Sequence, residues 1–194
     1  VARRRGKPPL PTEEDLREAH MAVIRKAVDA HADHVCRALE QQGFACIDDF
    51  IPRPTVAAMR SEAESLLEAG GLEESHSTRW DEDQGCVVSY AKRNVMATAL
   101  AGGEQYALAP RLTEYVVSLV SSLPPRLSTH FEGLALNERA ATNKLAVCLG
   151  SASSYDKHID NMGGGDLRKL TVLLYLQERW TASMGGCFRM YSAR

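Results

Sequence analysis

The stretch SSYDKHIDNMGGGDLRKLTVLLYL, residues 153–176, joins a His-x-Asp motif to a glycine-rich turn and an apolar run. On an extended strand, side chains at positions i and i+2 project from the same face, about 6.6 Å apart along the backbone. His158 and Asp160 would therefore both reach one metal ion. Two histidines and one carboxylate on one face of Fe(II) form the facial triad of non-haem iron sites. The motif thus offers candidates for two of three metal ligands, while a bare His-x-Asp also occurs by chance in many proteins.

The segments around this motif predict an antiparallel sheet. They are short apolar or alternating runs separated by glycine and serine turns, namely LAVCL, YDKHI, KLTVLLYL and GCFRMY. Such spacing is typical of an antiparallel barrel rather than of a parallel βαβ array. Because helical patterns precede these strands, we predict an α+β fold, with residues 141–194 forming the N-terminal part of the sheet core.

Residues 12–140 are predicted as a helical support region. Thr12, followed by an acidic first turn, starts a long amphipathic helix that continues toward Leu39 and ends at Gly43. FACIDDF, residues 44–50, alternates enough to predict a first strand.

The rest of this region predicts two more helices and a loop. An apolar stripe over residues 56–67 indicates the second helix, and another over 112–120 indicates a short third helix that ends before Pro124 and Pro125. Residues 73–103 are polar and weakly periodic, which predicts a long excursion over the surface.

Composition bounds the class of protein. A chain of 194 residues with a net charge of −2 is one ordinary domain with no global attraction to nucleic acid or membrane. We therefore expect neither a nucleic-acid nor a membrane partner, and small-molecule and peptide substrates both remain open. The five cysteines include no Cys-x-x-Cys pair, which favours a reducing compartment, the cytoplasm or the nucleus.

The first eleven residues are basic and proline-containing, and they predict a flexible lead-in. Its RRRGK cluster has two readings, part of a nuclear localisation signal or a solvated arm. The second is the commoner role of short basic clusters.

Several motifs in this order resemble those of a known family. YDKHIDN, a glycine-rich turn, KLTVLLYLQERW and GGCFRMY follow one another, and QQGFACIDDFIPRPTVAAMRSEAESLLEAG precedes them. From about residue 35 to 194 the sequence resembles the prolyl 4-hydroxylases, which are iron- and 2-oxoglutarate-dependent dioxygenases, and most of all their hypoxia-type and microbial members. The resemblance implies a double-stranded β-helix, or jelly roll, behind the N-terminal helices.

The resemblance also implies chemistry and cofactors. We expect Fe(II), 2-oxoglutarate and O2, with ascorbate as an optional addition. The implied reaction hydroxylates a prolyl or other side chain of a peptide or protein substrate and releases succinate and CO2. Zinc hydrolysis is a poorer reading, because His158 and Asp160 have no further histidine or glutamate base placed with them.

Further residues are assigned to the site through the resemblance. Tyr175 matches a position that contacts a 2-oxoglutarate carboxylate, and Tyr155 and Thr171 are weaker candidates for the same cosubstrate pocket. Arg168 and Trp80 are candidates for substrate contact. Each has a plainer alternative: core packing for Tyr175, a solvated turn for Arg168, and packing on the protein body for Trp80.

The sequence departs from the family at its C-terminal end. The family's third metal ligand, a histidine, and its basic 2-oxoglutarate residue lie beyond the Gly-Gly strand, whereas no histidine follows His158 here. We therefore expect a C-terminally truncated piece of such an enzyme. The alternative is a catalytically inactive dioxygenase-like binding module or a truncated gene product.

Overall fold

The computed structural model describes residues 10–100, 102–138, 141–150, 152–161 and 163–191. The RRRGK cluster of the predicted lead-in lies outside these residues. In chain order the elements are α1 (Glu13–Gln42), α2 (Arg53–Glu68), β1 (Glu73–Asp81), β2 (Cys86–Thr98), α3 (Glu104–Leu108), α4 (Pro110–His130) and β3 (Leu145–Cys148).

Local capping sets both ends of α1. Thr12 Oγ1 accepts a hydrogen bond from Asp15 N at 3.1 Å, and Asp15 Oδ2 accepts one from Thr12 N at 2.8 Å, which forms a capping box. At the other end Gly43 adopts a φ of 79°, and its N–H bonds to Leu39 O at 3.0 Å. The predicted first helix is confirmed, as is the second helix, α2.

The predicted end of the third helix is wrong, because α4 continues through Pro124 and Pro125 to His130. Side-chain hydroxyls hold the helix on both sides of the two prolines. Ser121 Oγ donates to Ser118 O at 3.1 Å before them, and Thr129 Oγ1 donates to Pro125 O at 2.8 Å after them. Neither bond replaces an amide donor that the prolines lack, because the missing N–H groups would have bonded to the carbonyls of Val120 and Ser121.

The predicted surface loop at 73–103 is instead mostly an antiparallel hairpin of β1 and β2. Its turn is set by Asp81, whose Oδ1 accepts hydrogen bonds from Asp83 N and Gln84 N at 3.0 Å each, and by Gly85 at a φ of 61°. Most of the hairpin's side chains are exposed, so its sequence lacks the apolar alternation of a half-buried strand. The predicted strand at 44–50 is not formed, and Asp49 has a φ of 50° there.

A bulge interrupts β2 and changes which side chains face inward. The pairing shifts from Glu74 opposite Met96 to His76 opposite Ala91, and Asn94 within the gap has a φ of 51°. As a result Lys92 and Val95, three positions apart, are both buried. Strand β3 pairs with the far end of β2, which completes a three-stranded antiparallel sheet in the order β1-β2-β3.

The chain divides into two compact units. The first comprises Val1–Ile51 and Glu114–Arg139, and its most buried side chains include Ile24 and Leu127. The second comprises Pro52–Thr113 and Ala140–Arg194. Fully buried side chains in this second unit include those of Met59, Leu66 and Val95.

Beyond β3 the predicted strands YDKHI, KLTVLLYL and GCFRMY are not formed in the described residues. Where residues 149–191 are described, their regular structure is a single 3-10 turn, Ala182–Met184. In KLTVLLYL, residues 169–176, apolar side chains on both faces are solvent-exposed; Val172 is 46% and Leu173 is 53% exposed. A segment that is apolar on both faces needs sheet neighbours and covering layers to become a buried strand.

At the level of class, the α+β prediction is confirmed by helices together with a small antiparallel sheet. None of the helices in the described ranges has the length and apolar character needed to cross a membrane.

Candidate metal centre

The candidate site lies on the segment that follows β3, in the second unit. The bulge in β2 anchors this segment, because Asn94 O accepts hydrogen bonds from Leu149 N and Ser153 Oγ, both at 2.9 Å. The backbone carbonyl exposed by the bulge thus holds the start of the chain that leads to His158.

Asn161 turns the chain back after the His-x-Asp motif. Its Oδ1 accepts from Gly163 N at 2.7 Å, and its Nδ2 donates to Asp166 O at 3.2 Å and to Arg168 O at 2.5 Å. Gly163 and the glycine after it have φ values of 85° and 65°, which side-chain-bearing residues rarely adopt. The turn predicted from these glycines is therefore present, and it returns residues 168–171 alongside the motif.

The side chains of His158 and Asp160 lie against each other. The Nε2 of His158 and the Oδ1 of Asp160 are 3.2 Å apart, and the two side chains are 42% and 50% exposed. Two ligand atoms that each lie about 2.1 Å from one metal ion, at a right angle, are separated by about 3.0 Å. The pair therefore fits neighbouring positions on a metal.

A backbone contact defines the hydrogen bonding of the imidazole. The Nδ1 of His158 lies 2.7 Å from Asp156 O. A carbonyl oxygen only accepts, so Nδ1 carries the proton, and in a neutral ring Nε2 then presents its lone pair to the Asp160 carboxylate. Two acceptors facing each other require a cation between them. A metal ion meets this requirement, and so does a proton on Nε2, which would make the contact an ordinary ion pair.

Two further predicted residues converge on Asp160. Thr171 Oγ1 donates to Asp160 Oδ2 at 2.7 Å, and the Arg168 guanidinium donates to the backbone oxygen of Asp160. Thr171 thus occupies one carboxylate oxygen and leaves Oδ1 facing His158. Hydrogen bonds of this kind orient metal ligands and tune them.

Arg168 is itself held by Asp166. Its Nε contacts both carboxylate oxygens of Asp166 at 3.0 Å. Hydrogen bonds from the Arg168 side chain and backbone lower the pKa of Asp166 from 3.8 to about 2. The arginine is therefore fixed within the turn by a bidentate pair, and its role here is to bind Asp160 and Asp166.

The remaining candidates have other surroundings. The ring of Tyr155 lies under Lys92, with Nζ 3.9 Å from the ring centroid, and burial raises the pKa of Tyr155. Tyr175 is 61% exposed and lies four residues after Thr171. Trp80 is 62% exposed on β1, and among the described residues no hydrogen bond joins it to His158 or Asp160.

Sequence reasoning missed two participants, Asp156 and Lys92. Asp156 contributes its backbone carbonyl to His158, and a backbone contact does not depend on the side-chain type. Lys92 would have been visible as a charged residue within VSYAKRNVMA, residues 88–97, had that segment been assigned to a strand.

Over the described part of the chain, no group of three or more histidine, cysteine, aspartate or glutamate residues is placed to hold a metal ion. No protein family, curated protein or solved structure matches the sequence.

Proposed function

We propose that the protein is an Fe(II)- and 2-oxoglutarate-dependent dioxygenase that hydroxylates a prolyl or other side chain of a peptide or protein. The observation that carries this proposal is the 3.2 Å approach of His158 Nε2 to Asp160 Oδ1, with Nδ1 of the same ring bonded to the carbonyl of Asp156. Together these contacts present one nitrogen and one oxygen lone pair to the same point, as a shared metal ion requires.

Each residue of the site has a defined task in this proposal. His158 and Asp160 hold the ion, Thr171 prevents the Asp160 carboxylate from rotating, and Arg168 fixes the backbone of Asp160. When bound, Fe(II) supplies the oxidation of a C–H bond by O2, coupled to conversion of 2-oxoglutarate to succinate and CO2.

The resemblance to the prolyl 4-hydroxylases supports the choice of reaction. We also base four parts of the proposal on this resemblance: the jelly roll, the cosubstrate role of Tyr175, the use of ascorbate, and a histidine as the third metal ligand. Tyr155 and Trp80 belong to the proposal as pocket residues, and a cytoplasmic or nuclear location is part of it.

The test is succinate formation from 2-oxoglutarate by the natural-length protein, with a proline-containing peptide library as substrate. We expect Asp160→Ala to abolish turnover because one metal ligand is lost. Asp48→Ala removes an exposed carboxylate far along the sequence from the motif and should leave turnover unchanged. Equal succinate yields from Asp160→Ala and the wild type would refute the proposal, and a wild type with no turnover would favour the inactive binding module.

A further inference from the structure

Residues 170–177, LTVLLYLQ, form an uncharged and mainly apolar segment that belongs to no sheet of the described chain. The segment contains no glycine, no proline and no residue with a positive φ, so its backbone is compatible with an extended strand. The amides of 170–174 donate no hydrogen bond to another described residue, and Val172 and Leu173 are exposed. An unpaired apolar strand of this kind is a template for pairing with another chain.

Charged residues on both sides of the segment indicate which strand fits beside it. Arg168 and Lys169 precede it, and Glu178 and Arg179 follow it. A second copy that ran parallel and in register would place each of these charges opposite the same charge, which is destabilising. An antiparallel second copy can instead place Arg168 opposite Glu178. Although Asp166 binds Arg168, that side chain is still 52% exposed and can be reached.

Symmetry limits the antiparallel registers. Two adjacent antiparallel strands in a closed dimer are related by a two-fold axis perpendicular to the sheet, which keeps each side chain on its own face. Because side chains alternate between the faces, the axis must pass beside a residue that lies opposite its own copy. With Leu173 at the axis, Arg168 lies opposite Glu178. The uncharged pairs between them are Leu170 with Leu176, Thr171 with Tyr175, and Val172 with Leu174.

A shift of the axis by one residue in either direction gives a poorer match. One shift places Lys169 opposite Arg179, and the other places Glu178 opposite Asp166. Like charges directly opposite each other destabilise a sheet, whereas opposite charges and apolar pairs stabilise it. Charge complementarity therefore favours the register centred on Leu173.

We propose that this chain forms a two-fold symmetric dimer in which residues 170–176 of two copies pair as antiparallel strands about Leu173. The dimer requires no metal ion, so it does not depend on the proposed iron chemistry. A strand of the natural-length protein that paired with the same edge would compete with the second copy. The test is therefore made on the 194-residue chain.

Sedimentation equilibrium over a range of protein concentrations measures the dimer. We expect a monomer–dimer equilibrium in the wild type. Leu173→Lys should raise the dissociation constant by about tenfold or more, because each copy loses an apolar contact and two lysines then face each other at the axis. Leu173 is exposed, so the variant should keep the fold of the monomer, which circular dichroism checks. The matched control is Leu108→Lys at an exposed position of α3, and it should dimerise like the wild type.

Disulfide cross-linking tests the register. The background for this test has serine in place of the four exposed cysteines, Cys46, Cys86, Cys148 and Cys187. With Leu173→Cys the two sulfurs lie on directly opposite residues, whose Cα atoms are about 4.5–5.5 Å apart, so oxidised glutathione should give a covalent dimer. With Leu174→Cys the two copies of the residue are diagonal neighbours about 7–8 Å apart, too far for a disulfide.

Hydrogen exchange adds a concentration-dependent result. The amides of 170–174 should exchange freely in the dilute monomer, and alternate ones should become protected as the dimer forms. A wild type that stays monomeric, or that grows into larger open-ended assemblies, would overturn the proposal. An unchanged dissociation constant in Leu173→Lys, or equal cross-linking of the two cysteine variants, would overturn it as well.

Discussion

At the scale of residues, each side chain of the candidate centre has two polar atoms. One of them is hydrogen-bonded to the protein, and the other faces the neighbouring ligand residue. His158 uses one nitrogen to bond to the backbone and turns the other toward Asp160. Asp160 gives one oxygen to Thr171 and keeps the other for His158. Each potential ligand is thus oriented by a partner behind it, as metal ligands in proteins commonly are.

Thr171 offers the residue-scale test of this orientation. Thr171→Val removes the hydroxyl that bonds to Asp160 Oδ2 while keeping the shape of the side chain, so we expect Fe(II) affinity to fall by about 10- to 100-fold. Thr171→Ser should restore most of the affinity. The control is Thr78→Val, at an exposed position of β1. Metal titration of the four proteins is the measurement, and unchanged affinity in Thr171→Val would mean that this hydrogen bond positions nothing.

Site residues that act through a reactive or charged side chain can be selected from the sequence. His158 and Asp160 were predicted as a pair of ligands, Thr171 as a cosubstrate-pocket residue and Arg168 as a substrate contact. The glycine turn brings Thr171 and Arg168 against Asp160, a contact that the sequence did not predict. Lys92 was missed, since its inward direction is produced by a bulge that depends on the pairing of β1 with β2. Long-range pairing of this kind leaves little trace in local composition.

At the scale of elements, a buried carboxylate joins α2 to the start of α4. Glu62 is nearly buried, its Oε1 accepts from Arg111 N at 3.2 Å and from Arg111 Nη1 at 3.1 Å, and its Oε2 accepts from Leu112 N at 3.0 Å. It thereby satisfies two amides in the first turn of α4, which have no partner within the helix, and its charge suits the helix N-terminus.

Glu62→Gln should destabilise the protein. An amide has one acceptor oxygen, so one buried N–H group of α4 loses its partner at a cost of about 1–3 kcal/mol. Glu64→Gln on the same helix removes only an exposed pair with Arg60 and should cost less than about 1 kcal/mol. Urea unfolding measures both changes. Equal losses in the two variants would show that Glu62 contributes no more than a surface charge.

Elements with local signals were the predictable ones. The ends of α1 follow from Thr12 and Gly43, whose capping roles lie within four residues of sequence. The hairpin was mistaken for a loop because most of its side chains are exposed, and α4 was expected to stop at prolines that it tolerates. In both cases the secondary structure depends on contacts that the spacing of apolar residues does not predict.

At the scale of the whole molecule, the described chain combines well-packed helices with a long extended segment whose apolar side chains face solvent. Ile24 and Met59 are fully buried, whereas Leu173 is 53% and Phe188 is 62% exposed. In the proposed jelly roll this segment would supply central strands, which need neighbours on both edges.

Hydrogen exchange should separate these two parts of the chain. Among the described residues, the amides of 170–174 have no hydrogen-bond acceptor, so they should exchange at nearly the rate of an unfolded peptide. Amides in the buried stretch of α1 around Val28 should exchange many times more slowly. The measurement is mass spectrometry of peptic peptides. Comparable protection of both segments would show that strand pairing around 170–174 already exists in the isolated chain.

The central claim is that His158 and Asp160 are ligands of one Fe(II) ion, and anaerobic calorimetric titration of the natural-length protein with Fe(II) tests it most directly. We predict one bound ion per chain in the wild type and loss of that binding in both His158→Ala and Asp160→Ala. If both variants bind Fe(II) as tightly as the wild type, the 3.2 Å contact is an ordinary ion pair and the proposed iron site is contradicted.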